Sequence, residues 1–351
     1  MESPDLQFGP EPDPPAASPR VCVVVPAYQS AGFIAAALES VFAQTYRNLE
    51  VVVINDGSPD TAALEEILRP FRSQIIYLQQ QHRGPSAARN LGIRQARAPY
   101  VALLDSDDTW LPEHLALQMA HFSANPELGL VYANNLQVRD GRVLGEAFVT
   151  VPQSGVVNLD SLLTENCTVN TSSVVALRES MLAAGLFNER MDRCEDFDLW
   201  LRMAAAGTPM ACDPRVQVRH RLGCGLSSHA ELMKRGRLQA YENISLIHLS
   251  PTQRTIVDRK RLELTSGIQI EIAKQRLEQG RFPEARAAIN QACTLAPSRK
   301  LEWAALGMRI SPFLLRGLYH GYRHGLQAWR RVRTPAHADA SSYSQAESLP
   351  R

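Results

Sequence analysis

The chain holds no lysine before Lys234, although it runs to 351 residues and carries 37 Lys and Arg against 36 Asp and Glu. Its formal net charge of +1 argues against a uniformly basic nucleic-acid binder and against an acidic solvating chain, so no nucleic-acid partner is expected. Cysteine is sparse as well. The six (22, 167, 194, 212, 224 and 293) form no C-x-x-C pair and no secreted-domain spacing, which reads as buried free thiols in a reducing compartment. The N-terminus has neither the basic nor the apolar segment of a signal peptide. No window reaches the roughly 18 uncharged apolar residues of a spanning helix. A cytoplasmic protein is expected, with the inner face of the membrane as the one alternative. Missing too is a phosphate-cradling glycine loop. After the first strand stands Pro26-Ala27-Tyr28-Gln29-Ser30-Ala31-Gly32, which fits neither a dinucleotide fingerprint nor a P-loop. A diphosphate bound here would need a cation to neutralise it.

What is present is ordinary globular composition, 45% hydrophobic and 21% charged, with length for about two domains. The near-neutral total is a cancellation. Residues 21–230 carry 22 acids and 16 Arg, whereas 231–333 carry 19 bases and 8 acids. An acidic body with a basic end hints at an anionic partner for that end. Four segments follow: a proline-rich tail expected to be disordered (1–20), a catalytic α/β domain (21–230), a basic helical region (231–333), and a Ser-rich tail expected to be disordered (334–351).

Strand and helix patterns alternate through the body. Val21 to Val25, Val51 to Ile54, Ile75 to Leu78 and Tyr100 to Leu104 read as buried parallel strands, and helical patterns separate them. The expected class is α/β, a mostly parallel sheet flanked by helices. Strands are expected again at 128–132 and 171–177, and a helix through Phe197 to Met203. The basic region reads as nearly all helix. In it, 273–297 resembles one tetratricopeptide-type hairpin, and a single copy cannot build a solenoid.

Ligands of open parallel sheets bind beyond the carboxyl ends of the strands. Those ends read Pro26-Ala27-Tyr28, Asn55-Asp56-Gly57-Ser58 and Asp105-Ser106-Asp107-Asp108. Asp56 in Asp-Gly-Ser is open to two readings, a ligand contact or turn chemistry. Three acids within 105–108 repel one another unless a cation or donor compensates. Hard oxygen ligands of this kind suit Mg²⁺ or Mn²⁺ shared with substrate phosphates.

Taken together with Gly84-Pro85-Ser86-Ala87-Ala88-Arg89-Asn90 and Glu195-Asp196-Phe197-Asp198-Leu199-Trp200, these blocks resemble glycosyltransferase family 2, inverting transferases of GT-A fold, over about 21–228. The resemblance implies a metal-dependent transfer from a nucleotide-sugar, most naturally a UDP-sugar, to a hydroxyl of a glycan or lipid-linked acceptor in bacterial surface-glycan or glycolipid assembly. It implies that Pro26, Ala27 and Tyr28 line the nucleotide pocket and that Asp56 accepts from the uracil N–H. Arg89 would lie near the base or phosphates, Asp105 with Ser106 at the nucleoside, and Asp107 on the metal. Asp196 would be the general base, with Glu195 beside it. Arg221 and His220 fall in the stretch 218–227, where family members carry phosphate and metal contacts, and their register there is ambiguous. The membrane spans and Gln-x-x-Arg-Trp motif of processive synthases are missing, which favours single addition. A nucleotidyltransferase acting on sugar phosphates is an alternative, although it would bring a glycine loop with a lysine. A non-catalytic nucleotide-sugar or partner-binding protein is another.

Residues 301–333 carry Arg309, Arg316, Arg323, Arg330, Arg331 and Arg333 against Glu302, interleaved with Trp303, Phe313, Tyr319, Tyr322 and Trp329. Two readings stay open for them: peripheral contact with an anionic membrane, or packing on the catalytic domain.

Overall fold

The computed structural model describes residues 5–8, 20–139, 141–146, 156–222 and 229–321. They divide into two compact units, Met1–Val138 with Gly145–Cys224, and Arg139–Leu144 with Gly225–Arg351.

The first unit opens with β1 (Asp5–Phe8), β2 (Val21–Ala27), α1 (Ile34–Phe42), β3 (Leu49–Asp56), α2 (Thr61–Leu68), β4 (Ile76–Gln80), α3 (Pro85–Gln95) and β5 (Tyr100–Leu103). It continues through β6 (Thr109–Trp110), α4 (His114–Ala124), β7 (Leu130–Arg139), β8 (Arg142–Glu146, whose first three residues fall in the second unit), β9 (Val156–Val157) and α5 (Leu159–Leu163). A 3₁₀ turn at Thr171–Ser173 leads into β10 (Val175–Leu177), α6 (Arg178–Ala183), α7 (Glu195–Ala205) and β11 (Met210–Arg221).

Along the sheet the strands run β1-β4-β3-β2-β5-β10-β7-β11-β6. β4, β3, β2 and β5 are mutually parallel. β10 is antiparallel to both neighbours, and β7 is parallel to β11. The sheet is therefore more mixed than the alternating pattern suggests. β10 follows a 3₁₀ turn rather than a crossover helix, so nothing obliges it to run with β5. β1 also departs from expectation, since residues 5–8 fall in the tail expected to be disordered. The strand adds antiparallel to β4 and caps an edge that would otherwise present open backbone groups.

The strand order explains where a site forms. From β2 the chain steps outward to β3 and β4, then returns to place β5 on the other side of β2. The switch point lies between β2 and β5, and their carboxyl ends open a crevice there. Val21 to Val25 are completely buried, as a strand covered on both faces requires. Gly92 lets α3 close on the sheet: a Cβ there would lie 2.5 Å from Val24 Cγ1 and 2.8 Å from Ile54 Cδ1. Cys22, Cys167 and Cys212 are buried free thiols, as expected, whereas Cys293 is only partly buried.

The second unit is helical among the described residues beyond 229: α8 (Ala230–Ile244), α9 (Pro251–Glu278), α10 (Phe282–Leu295), α11 (Arg299–Ile310) and a helical stretch at 312–321. α9 and α10 form the expected hairpin, turning at Gly280 with φ of 75°. Leu277, Ala285, Ile289 and Met308 close its core. The expected tail from 334 lies outside the described residues.

Candidate functional site

The crevice collects the strand-end residues singled out above. Tyr28 follows β2 and is 42% exposed, whereas Ala27 is buried. The loop after it is pinned to the turn after β3: Gln29 N–H donates to Ser58 Oγ at 2.7 Å and Ala31 N–H to Asp60 Oδ2 at 3.0 Å. Gln29 itself takes φ of 51°. Asp56 is buried, and its carboxylate binds the segment beyond β4. Oδ1 accepts from Gln80 Nε2 at 2.6 Å and Arg83 N–H at 3.0 Å, and Oδ2 from Gly84 N–H at 2.8 Å; His82 Nδ1 lies 2.9 Å from Oδ2 and hydrogen-bonds the Asp56 carbonyl oxygen at 3.1 Å. Gly57 makes this approach possible, since a Cβ there would meet His82 N at 2.6 Å. Both sequence readings of Asp56, turn residue and ligand contact, thus concern one carboxylate at the crevice wall.

Beyond β5 the acids divide their labour. Asp108 is buried and fully engaged: Ser172 Oγ donates at 2.6 Å, His220 Nδ1 at 3.0 Å, and Arg221 N–H at 2.8 Å. It locks the end of β11 to the β5 loop. Asp105 donates its backbone N–H to Ser172 Oγ at 3.1 Å and accepts on Oδ1 from Arg89 Nη2 at 2.6 Å. The Asp107 carboxylate is engaged by backbone alone and has no side-chain hydrogen-bond partner among the described residues. Burial and the neighbouring Asp108 and Asp105 carboxylates push its carboxyl up to about 6. Ser106 is half-buried between them.

Arg89 lies deeper than its expected place near the base or phosphates. It is 5% exposed, and Nη1 donates to Glu195 Oε1 at 2.8 Å while Nη2 holds Asp105. Its guanidinium also lies 5.4 Å over the Phe187 ring. Burial works against its charge, but the two carboxylates prevail and keep it protonated. Burial lifts the Glu195 carboxyl against the opposing effect of Arg89, with Asp196 adding to the rise. The N-cap position of α7 is Cys194, without a side-chain cap, and Glu195 and Asp196 occupy the first turn, where the helix dipole favours acids. Asp196 Oδ1 accepts from Phe197 N–H at 2.7 Å, and Oδ2 from Thr171 Oγ1 at 2.9 Å.

Thr171 and Ser172 are the functional residues that sequence reading missed. Two consecutive hydroxyls hold Asp196 on one side and Asp105 with Asp108 on the other. The run Asn170-Thr171-Ser172-Ser173 carried a turn signal, but the stretch reads as a strand when only its apolar end is weighed. Pro26 is half-buried at the same strand end as Tyr28.

The residues fit a divalent cation. A carboxylate with no side-chain partner, set among like charges, invites one. His220 engages Asp108 through Nδ1, the arrangement by which metal-binding histidines are oriented, with Nε2 left for a ligand. Burial works to lower the His220 imidazole, but Asp108 and the other strand-end acids raise it. Among the described residues no three His, Cys, Asp or Glu gather as a closed ligand set. A protein contribution of one or two ligands is the pattern of Mg²⁺ and Mn²⁺ sites that share substrate phosphates. Arg221 stands beside them, its guanidinium 4.8 Å over the Phe33 ring and its Nε 3.3 Å from the Asp107 carbonyl oxygen.

Residues 22–183 match the model of Glycosyl transferase family 2. Over those residues, a little under half of its length, the chain is similar to that family. An uncharacterized glycosyltransferase of Rickettsia felis is 24% identical over 206 residues, 58% of this chain and 34% of the relative, so the chain spans about a third of that protein. The Escherichia coli UDP-Glc:alpha-D-GlcNAc-diphosphoundecaprenol beta-1,3-glucosyltransferase WfaP is 28% identical over 207 residues, 58% of this chain and 78% of that protein. Among solved structures, Staphylococcus aureus TarS 1-349 in complex with UDP superposes with a TM-score of 0.56 at 19% identity, over 87% of this chain and 92% of that one. The mannosyltransferase PcManGT of Pyrobaculum calidifontis, in complex with GDP-Man and Mn²⁺, gives 0.55 at 19% identity, over 90% and 86%. These likenesses establish the GT-A fold. Among the described residues no helix is long and apolar enough to cross a membrane.

Proposed function

We propose that this chain is a metal-dependent inverting glycosyltransferase that moves a sugar from a UDP-sugar to a hydroxyl of a glycan or lipid-linked acceptor in bacterial surface-glycan or glycolipid assembly. One observation carries the reading: Thr171 and Ser172, adjacent in sequence, tie the candidate base Asp196 to the strand-end acids Asp105 and Asp108. This supports a reading in which Asp196 acts as base beside the strand-end acids, at the switch point of the sheet where a nucleotide would bind. The names of WfaP, a UDP-Glc-dependent transferase, and of the TarS complex with UDP support the donor class.

In this reading the acceptor hydroxyl loses its proton to the Asp196 carboxylate. Its oxygen forms the new bond to the anomeric carbon as the bond from that carbon to the diphosphate oxygen breaks on the opposite face. Thr171 fixes the orientation of Asp196, and the rigid start of α7 mounts it. General-base help of this type contributes about 10²–10⁴-fold. Arg221 offers its guanidinium to the diphosphate. Asp107 and His220 would hold a bound Mg²⁺ or Mn²⁺, which would neutralise charge on the departing diphosphate. Nucleotide release measured across donor sugars, with and without Mn²⁺, tests the reading. Transfer should require a divalent ion and should vanish in Asp196→Ala with UDP affinity nearly unchanged; undiminished transfer in that variant refutes the base.

The membrane reading of 301–333 gains support from exposure. Trp303 (71%), Ile310 (73%), Phe313 (73%) and Leu318 (64%) stand open beside Arg309 and Arg316, while Met308 and Leu301 pack inward. Exposed aromatics and arginines on one helical region suit an anionic lipid surface.

A further inference from the structure

Three donors hold the Asp56 carboxylate, from Gln80, Arg83 and Gly84. His82 Nδ1 stands 2.9 Å from Oδ2 while its hydrogen bond goes to the Asp56 carbonyl oxygen at 3.1 Å. A carboxylate offers about four lone-pair sites, and the His82 nitrogen crowds what the three donors leave, so a new group recognised by Asp56 must displace one of these four. The Arg83 and Gly84 amides are fixed by the chain entering α3, and Gln80 lies directly opposite Asp56 in the β3–β4 register. His82 is different in kind. Its side chain is 52% exposed, and its ring is otherwise held by stacking on Tyr28, with centroids 4.1 Å apart and planes inclined by 22°. Nδ1 faces only oxygen acceptors, Asp56 Oδ2 at 2.9 Å and the Asp56 carbonyl at 3.1 Å, so this nitrogen carries the proton.

A planar nitrogen heterocycle therefore lies on an exposed aromatic platform and sets a ring nitrogen 2.9 Å from a buried carboxylate. The stacking distance leaves no space for a second ring between Tyr28 and His82. We infer that His82 is an internal stand-in for the nucleobase: it closes the base slot formed by Tyr28 and Asp56 and swings out when a nucleotide enters. This rests on the nucleotide-sugar reading above and adds a specificity rule to it. The base that replaces His82 must present a ring N–H to Asp56. Uracil, thymine and guanine nucleotides have one, whereas cytosine and adenine nucleotides have none. The exchange replaces one stacked ring by another and gives up the hydrogen bond to the Asp56 carbonyl for one to its carboxylate. Its net effect is to lower the apparent nucleotide affinity by the fraction of molecules with the slot closed.

Nuclear magnetic resonance of the full chain with labelled histidine, titrated with UDP and with CDP, tests this directly. The Tyr28 ring current should shift the His82 ring protons upfield in the free protein, and UDP should abolish that shift while equimolar CDP leaves it. In parallel calorimetry His82→Ala should bind UDP more tightly than wild type, by about 3- to 10-fold if the slot is closed in most molecules, and should still discriminate against CDP. His82 resonances unmoved at saturating UDP, or equal or weaker UDP binding by His82→Ala, would overturn the stand-in while leaving nucleotide binding intact. Failure of wild type and His82→Ala alike to bind UDP, TDP or GDP would overturn both this inference and the proposed function.

Discussion

Arg89→Met removes the guanidinium that bridges Asp105 and Glu195 and keeps a side chain of similar length. The loss falls unequally on the two acids. Asp105 is 31% exposed at its side chain and turns to water, whereas Glu195 is 12% exposed and does not. Removing one partner of a buried ion pair costs about 3–5 kcal/mol, mostly because the remaining charge is buried without compensation. Loss of the stacking over Phe187 adds about 0.5–1 kcal/mol. Arg89→Met is therefore expected to lose about 3.5–6 kcal/mol at pH 7.5, measured by urea unfolding followed by circular dichroism. The pH dependence identifies the cause. Burial already raises the Glu195 carboxyl in the wild type, and without Arg89 it rises further. A raised carboxyl in the folded state disfavours folding once pH passes above the unfolded value, so the deficit should shrink as pH is lowered toward 4.5. Arg89→Met/Glu195→Gln should recover much of the loss at pH 7.5, because the orphaned charge is gone. A deficit below about 1 kcal/mol, or additive effects of the two substitutions, would refute the buried-pair argument.

The raised Asp107 carboxyl means that its charge opposes folding between pH 3.8 and about 6, and at all higher pH. Asp107→Asn should therefore raise stability by roughly 1–2 kcal/mol at pH 7.5 with no gain at pH 4, and should abolish Mn²⁺-dependent transfer; calorimetric melting at both pH values and the nucleotide-release assay check this. His114 is buried beside Trp110 with its imidazole pushed down to about 4, so the folded state resists a proton that the unfolded chain binds below about 6.5. Stability should fall by up to about 3 kcal/mol as pH drops from 6.5 to 4, and His114→Gln should flatten that limb of the stability–pH curve. Replacing Leu306, Phe313 and Leu318 by Asp changes exposed positions on the basic helical region. The variant should fold like wild type by circular dichroism and lose flotation with anionic vesicles; undiminished flotation refutes the lipid-facing surface.

The sequence by itself determined the parts of this protein that rest on local pattern. Runs such as Val21 to Val25 are too uniformly apolar for a strand with a wet face, so the parallel sheet was legible. The acids after each run were legible as strand-end groups, because a carboxylate at the end of a buried strand must lie at the crevice rim. The hairpin of α9 and α10 was marked by helical spacing broken at Gly280. Tertiary structure decided the partners. Nothing in the order of residues separates Asp107 from Asp108; only the fold brings Ser172, His220 and the Arg221 amide to the carboxylate of one and not to that of the other. The family resemblance puts Arg89 near the base or phosphates, and only the fold shows Asp105 and Glu195 pairing with it across 16 and 106 residues of chain. His82 carried no signal in the sequence, since stacking on Tyr28 and a hydrogen bond to Asp56 exist only once β2, β3 and β4 lie side by side. Periodicity reports which face of an element is buried. Which buried or half-buried charges meet is fixed by long-range packing, and in this protein that packing sets the protonation, orientation and availability of every residue in the crevice.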